Sequence, residues 1–413
     1  MTMRGYVGIV DAYSSGVLYA PELQRRGYES VHIQSTDPIP PDDLPSFRPG
    51  DHAANLVFDG DLEKLVCALA AYAPACVIAG CEQAVQLADQ LSERLGVKTN
   101  GTALSSARRD KFAMQRAVAA AGLASIPSHL VASWAEIAGW VAGNLPVVVK
   151  PPSSGGTDHV FICKTLADAR VAFDSIVGHA NTFGEMNHHA IVQPLIEGIE
   201  YNINHVSCDG HHYCTDIWRV DKVWGEHPVY DRGVVLPRRG EHQDLMVPYV
   251  TGVLDAIGIK YGPSHCEVML TSSGPVLLEV AARLHGQSVQ TLVEVGSGVN
   301  QAKVTLDAYL DPDKFFARMG TPYELQKQLQ RIELICPRPG TLRGFGRLDD
   351  VRALPSFHTM KLYIEPGQQV TETVDLMTLP GFLDLVHPDP AVVERDHDLL
   401  RAWEADDFYD IVS

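Results

Sequence analysis

Residues 263–286 read PSHCEVMLTSSGPVLLEVAARLHG, and the fold turns on how this stretch is read. Residues 266–270 have the composition of a strand, 271–275 that of a tight Ser/Gly turn, and 276–281 that of a returning strand. Each strand is apolar except for one carboxylate, Glu267 and Glu279, and Arg283 follows four residues after the second. A carboxylate in an apolar strand is costly unless it is paired or metal-bound. Two of them on neighbouring strands repel, and a divalent cation would relieve that. Oxygen-only ligands favour Mg²⁺ or Mn²⁺ over zinc. Arg283 then stands where it can hold an anion beside the metal. The competing reading is a surface hairpin with both carboxylates in water, and the hairpin alone does not separate the two.

The chain has 413 residues, enough for two or three domains, and a formal charge of -18. That balance argues against nucleic acid or an anionic membrane as a bulk partner, but not against a small anionic ligand held by local cations. Eight cysteines occur singly, with no CxxC pair, which suits a reducing compartment. No apolar run reaches transmembrane length, and the start MTMRGYVGIVDAY lacks a cleavable signal pattern. A cytoplasmic protein is expected.

Outward from the hairpin, the pattern predicts an α/β unit over 1–104, an α+β unit over 105–310, and a small, partly β unit over 311–413. In the first, strands are expected at 5–11, 28–34 and 75–79, separated by helices, with 35–55 as loop. The Ser14-Ser15-Gly16 loop lacks GxGxxG spacing and is a weak anion site at most. In the second, a helix is expected over 107–122, and strands at 145–150, 160–163 and 190–193 lie in a central lid spanning about 125–195. Strands at 200–207 and 211–220 follow. Residues 221–245 read as loops over a cleft, and 291–309 as one helix. In the third, 323–330 reads as helix, with strands at 333–336, 358–364 and 369–375 and a helix at 391–404.

Several other stretches carry chemistry. Lys150 ends the run LPVVVK and meets a loop containing Ser153, Ser154, Gly155 and Gly156. Small residues can lay backbone N–H groups against phosphate oxygens, with the lysine as a point charge. The Walker pattern GxxxxGK[ST] is absent, and an ordinary turn with a surface lysine is the plainer alternative. Lys111 lies near a helix start and, alone, reads as a solvated lysine. Gln193, the backbone at Leu195, and Glu200 occupy one short connection, QPLIEGIE. They offer what an adenine edge and a ribose diol require, or else a plain strand-turn-strand.

The order of these pieces resembles the ATP-grasp superfamily, in which two α+β lobes hold ATP between them. The resemblance covers about residues 1–305 and implies an N-terminal Rossmann-like parallel-sheet domain. It implies Lys111 and Lys150 as phosphate-contacting lysines and Ser153 to Gly156 as the loop closing over the phosphates. It further implies Gln193 and Leu195 at the adenine hinge, Glu200 on the ribose, Glu267 and Glu279 as Mg²⁺ ligands, and Arg283 steadying an acyl phosphate. Many members carry Glu-x-Asn before that arginine. Here the stretch is Glu279-Val280-Ala281-Ala282-Arg283, so Ala281 contributes no ligand. E-x-A-A-R is more similar to the bacterial L-amino acid ligases, the dipeptide synthetases of dapdiamide- or tabtoxin-type pathways. The resemblance implies a homodimer and two amino-acid substrates joined through an aminoacyl phosphate.

For those substrates, Glu82, Arg219, Lys222, Arg232, Arg283, His285 and Gln287 are the candidate contacts, the 218–232 cluster reading equally well as a charged loop. Rival readings are a related ligase with a non-amino-acid amine or carboxylase-like activity, a nucleotide-binding carrier, and a His-ligated metalloprotein. The last is poorly supported, since His188-His189 and His211-His212 are adjacent pairs and HExxH is absent. If Gln287 sizes the pocket for the activated amino acid, Gln287→Trp will reorder the preference among first-position amino acids in steady-state kinetics. Unchanged selectivity would contradict that placement.

Overall fold

The computed structural model describes residues 3–224 and 228–412. Residues 225–227, within the stretch expected to be loop, lie outside the described residues.

Four parallel strands open the chain: β1 (Gly5–Val10), β2 (Tyr28–Gln34), β3 (Ala54–Val57) and β4 (Val77–Ala79), in the order β3-β2-β1-β4. Helices α1 (Tyr19–Arg25), α2 (Leu62–Ala70) and α3 (Val85–Leu95) connect them. β3 begins inside the expected loop. It is a short, half-exposed edge strand with no apolar run to reveal it. The carboxyl ends of β1 and β4 nearly touch: a Cβ on Gly80 would fall 2.2 Å from the Asp11 carbonyl oxygen. Glycine is required there, and the approach delivers Glu82 to the edge of the sheet.

The helix expected over 107–122 is broken. A short 3-10 turn (Ser106–Arg108) precedes α4 (Lys111–Ala120), whose N-cap Asp110 accepts from the Ala113 N–H at 2.8 Å. The cap places Lys111 at the first helical position. A separate antiparallel sheet follows: β5 (His129–Val131), β6 (Val147–Lys150), β7 (Phe161–Cys163) and β8 (Ala190–Pro194), ordered β5-β8-β6-β7. With α5 (Ala138–Asn144) and α6 (Leu166–Ile176) it has its own apolar core, centred on Val141, Val147, Val149 and Phe173.

The largest sheet is built from β9 (Ile199–Cys208), β10 (His211–Trp224), β11 (Pro228–Leu236), β12 (Gly262–Thr271), β13 (Gly274–Ala281) and β14 (Gln328–Glu333). Past β15 (Gly340–Phe345) it continues with β16 (Phe357–Leu362) and, past β17 (Gln369–Val370), with β18 (Gly381–His387). The order is β13-β12-β9-β10-β11-β14-β18-β16, so one sheet runs across residue 310 without interruption. β15 and β17 form a small second sheet with β19 (Tyr409–Val412). Helix α7 (Glu241–Ala256) covers one face of the large sheet, and α8 (Gln290–Ser297) lies against β14. α9 (Gln301–Leu310) joins the N-terminal sheet, Leu306 and Ala302 packing with Val7, Ile9 and Ile78. Two short helices, α10 (Pro312–Phe316) and α11 (Leu348–Arg352), and α12 (Pro390–Ala405) complete the chain.

Several expectations are corrected. Much of 221–245 is strand, because its charges pair across neighbouring strands, as Arg232 Nε does with Asp221 at 3.0 Å. The helix expected over 291–309 is two. Gly298, at φ +70°, ends the first, and the Asn300 side chain caps the second. Residues 323–330 are not helical; from Gln328 the chain is a strand held between β11 and β18, so sheet pairing overrides helix-favouring Glu, Leu, Gln and Lys. Of 369–375, only Gln369–Val370 pairs.

Arg108 fixes the first unit to the second. Its guanidinium is fully buried and donates to Asp89 at 2.8 Å, to the Ile257 carbonyl at 3.0 Å and to the Gly101 carbonyl. Arg108→Ala strands the Asp89 carboxylate in the interior and should cost about 3–5 kcal/mol, read as a lowered urea midpoint. A shift of under about 1 kcal/mol would refute this account of the junction.

Candidate active site

The hairpin of β12 and β13 sets Glu267 directly opposite Glu279, with a bulge following Glu267. Continuing sideways, Glu267 is opposite Asn202 and Asn202 opposite Trp218, so these side chains form one row on one face. Each carboxylate has a close nitrogen partner. Lys111 Nζ lies 3.0 Å from Glu279 Oε1, and His265 Nε2 lies 3.5 Å from Glu267 Oε1. Burial pushes Glu267 up, but His265, with Lys222 and Lys111 beyond it, more than offsets this and holds the carboxyl below its usual range. His265 is itself oriented: its Nδ1 lies 2.8 Å from Asn204 Oδ1, while the Asn204 amide and the Trp218 indole both donate to Asp216.

The cations come from two other elements. Lys111, at the start of α4, is 3% exposed and also donates to the Ser154 carbonyl at 2.9 Å. Lys150, at the end of β6, is 8% exposed; burial and the neighbouring Lys111 push its ammonium down to about 8, against the pull of Glu279 and Glu267. The loop between them is braced from outside. Asn181 donates to the Ser153 carbonyl at 2.6 Å, and a Cβ on Gly155 would lie 3.0 Å from the Phe183 ring. Gly156, at φ +65°, makes the turn. Lys111, Lys150, Ser154, Glu267 and Glu279 therefore lie together.

An apolar pocket of about 540 Å³ lies at the connection between β8 and β9, walled by Leu195, Ile196, Ile162, Pro146 and Met269. Gln193 is buried but turned away, donating to Ser128 Oγ at 2.7 Å, and the Leu195 N–H bonds the Pro146 carbonyl at 3.2 Å. Glu200 is buried nearby and accepts from Lys222 Nζ at 2.7 Å. Burial raises Glu200, with Lys222 offsetting part and Glu267 adding to it.

Arg283 reaches across to the N-terminal unit, its Nε 3.0 Å from Glu82 Oε2. The Ser14-Ser15-Gly16 loop offers no free hydroxyl at Ser15, which donates to the His285 carbonyl at 2.6 Å and accepts from the Ser288 N–H at 2.9 Å. The His285 ring stacks on His265 with centroids 4.2 Å apart; burial, with His265, Arg283 and Arg331 nearby, keeps it well below the usual imidazole range. Gln287 is exposed at φ +56°, its carbonyl accepting from Arg331 at 2.7 Å. Arg219 and Arg232 do not line this cleft. Strand alternation turns them to the opposite face, where Arg219 bonds Asp221 and Arg232 bonds Asp221 and Glu394. Lys222 points to the cleft but sits on Glu200 and over the Tyr230 ring, 4.4 Å from its centroid.

Among the described residues no three His, Cys, Asp or Glu side chains converge as a closed metal cage. The donors present are the two carboxylates and Asn202 Oδ1, which is buried without a hydrogen-bond partner among the described residues. That set fits a hard dication which takes one or two carboxylates and completes its shell with phosphate oxygens and water. Asn202, Met269 and Ile162 were not found from the sequence, because only strand register brings them to the cleft.

Comparison with known proteins follows this geometry. A family model described as ATP-grasp domain matches residues 143–291. The chain is 33% identical to dapdiamide A synthase of Enterobacter agglomerans over 97% of its own length and 96% of that protein. The structure of an L-amino acid ligase from Bacillus licheniformis superposes with a TM-score of 0.78 at 18% identity, covering 100% of this chain and 99% of that one. An N5-carboxyaminoimidazole synthetase from Staphylococcus aureus complexed with ADP superposes at 0.66 and 14% identity, covering 98% and 99%.

Lys150→Ala removes a cation that sits by Lys111, Glu267 and Glu279 and does not line the apolar pocket. Calorimetry should show the Kd for ATP rising about tenfold or more, with adenosine binding unchanged. Equal weakening of both ligands would place Lys150 at the base and not at the phosphates.

Proposed function

The chain belongs to the ATP-grasp family, and from that premise we propose that it is an ATP-dependent ligase joining two L-amino acids through an aminoacyl phosphate. The observation that carries the reading is the convergence of Lys111, Lys150, Glu267 and Glu279 beside an apolar pocket, with Arg283 at the far end of the hairpin. The 33% identity to dapdiamide A synthase supports extending it to amino-acid substrates.

In the first step an oxygen of the donor carboxylate attacks the γ-phosphorus of ATP, and the bond to the bridging oxygen breaks with its electrons leaving on ADP. In the second, the amine of the acceptor attacks the acyl carbon. The C–O bond breaks toward phosphate, the nitrogen loses a proton, and a peptide bond remains. Adenine is assigned to the pocket of Leu195, Ile196, Ile162 and Met269, and the ribose to Glu200, which must trade Lys222 for the diol. Lys111 and Lys150 neutralise the oxygens of the transferring phosphoryl group. Arg283, oriented by Glu82, holds the charge that develops on the acyl phosphate. Glu267 and Glu279, with Asn202 beside them, would hold Mg²⁺, which when bound supplies charge neutralisation on the triphosphate. The Ser153 to Gly156 loop excludes water, which would otherwise hydrolyse the intermediate. No protein nucleophile is required.

Two measurements test the reading. Incubation with ATP, Mg²⁺ and paired L-amino acids should yield ADP together with a product of dipeptide mass; ADP release only with a non-amino-acid amine would redirect the assignment to a related ligase. Glu279→Ala should lower kcat about a hundredfold or more while the circular dichroism spectrum is kept, since the residue lines a site and not a core. Parent-rate turnover by this variant would contradict its role.

A further inference from the structure

Glu333 ends β14, four strands away from the Glu267 strand in the same sheet. Its side chain is one of the few buried acids no ion pair explains. It is 8% exposed, and its Oε2 has no hydrogen-bond partner among the described residues. The two cations closest to hand are engaged elsewhere. Arg331 donates twice to Asp384, at 2.7 and 2.8 Å, and once to the Gln287 carbonyl. Arg401 donates to Asp231 and Glu404 and, with its remaining nitrogen, to the Glu333 backbone carbonyl, not its carboxylate. Burial consequently lifts the Glu333 carboxyl to about 7 in spite of Arg331. A buried acid without a partner is costly, and its retention asks for a ligand cation.

Its position says which cation. The Gln287 carbonyl accepts from Arg331, two residues before Glu333, at 2.7 Å, and Gln287 follows Arg283 by four residues on the loop that leaves the hairpin. Tyr230 on β11 stands opposite Lys222, which bonds Glu200, so β11 carries the cleft face from Glu200 toward β14. An amino acid with its carboxylate toward Arg283 has its amino group free to reach outward from the cluster. We propose that the Glu333 carboxylate receives the ammonium group of the amino acid whose carboxylate is phosphorylated, and so helps decide which substrate becomes the first residue of the dipeptide.

The donor is preferred over the acceptor on chemical grounds. The acceptor amine must give up a proton to attack, and a lasting pair with a carboxylate would hold that proton in place. The donor amine must stay protonated, or it would compete as nucleophile; a carboxylate partner keeps it so. Glu333 is thus a positioning and selectivity group, and it rests on the ligase reading above.

The test uses hydroxylamine, which converts an acyl phosphate into a hydroxamate with release of phosphate. Wild-type protein, ATP and Mg²⁺ are screened with the standard L-amino acids singly to find the donor it activates best. That donor and its 2-hydroxy analogue are then compared in wild type, Glu333→Gln and Glu333→Asp. The expected result is a donor KM raised about tenfold or more in Glu333→Gln, an unchanged KM for ATP, and loss of the preference over the 2-hydroxy analogue. Glu333→Asp, which keeps the charge, should restore part of that preference. Because removing an unpaired buried charge relieves the free protein, Glu333→Gln should also melt no lower than wild type without substrate. An unaltered donor KM and preference in Glu333→Gln, with wild type active, would overturn this inference alone. Wild-type protein that traps no hydroxamate with any amino acid would overturn the ligase reading and this inference with it.

Discussion

Two like charges set face to face across a strand pair are the constraint on which the rest of this structure depends. Glu267 and Glu279 share one cross-strand position, and their repulsion must be met by neighbouring nitrogen groups. Lys111 arrives from the start of α4, Lys150 from the end of β6, and His265 from the same strand as Glu267. Each requires a separate structural device: the Asp110 cap, the small sheet that ends at Lys150, and the Asp216–Asn204–His265 chain. The cluster is thus an electrostatic meeting point of α4, the small sheet and the hairpin, not a local motif.

The same logic accounts for the contact between the N-terminal sheet and the hairpin. Glycine at position 80 lets two strand ends approach, which positions Glu82 to bond Arg283. Ser15 ties the next loop to the carbonyl of His285 and the N–H of Ser288. Arg283 is therefore oriented by the N-terminal unit, through Glu82. On the other side, the large sheet carries the cleft face onward through β11 into β14, so that strands beyond position 310 continue the sheet that holds Glu267 and Glu279.

The sequence made the hairpin legible because a single acid in an apolar strand is a local anomaly. Lys150 was visible for the same reason, a charge at the end of LPVVVK beside small residues. The helix expected over 391–404 lies close to where the pattern puts it, as α12. What failed was whatever depends on partners far along the chain. β14 carries helix-favouring residues and is a strand because β11 and β18 flank it. Arg219 and Arg232 sit among residues rich in charge, and only strand parity shows that they face away from the cleft. Asn202 and Met269 have no neighbours in sequence that mark them; the register of the sheet alone brings them to the cleft.

The account's central claim is that this pair of acids is a cation site completed by the nucleotide. Crystals grown with Mn²⁺ and a non-hydrolysable ATP analogue would test it through anomalous scattering. The account predicts manganese between the carboxylates of Glu267 and Glu279 and the phosphates, with Lys111 released from Glu279. Nucleotide bound with both acids still held by Lys111 and His265, and no metal between them, would contradict it.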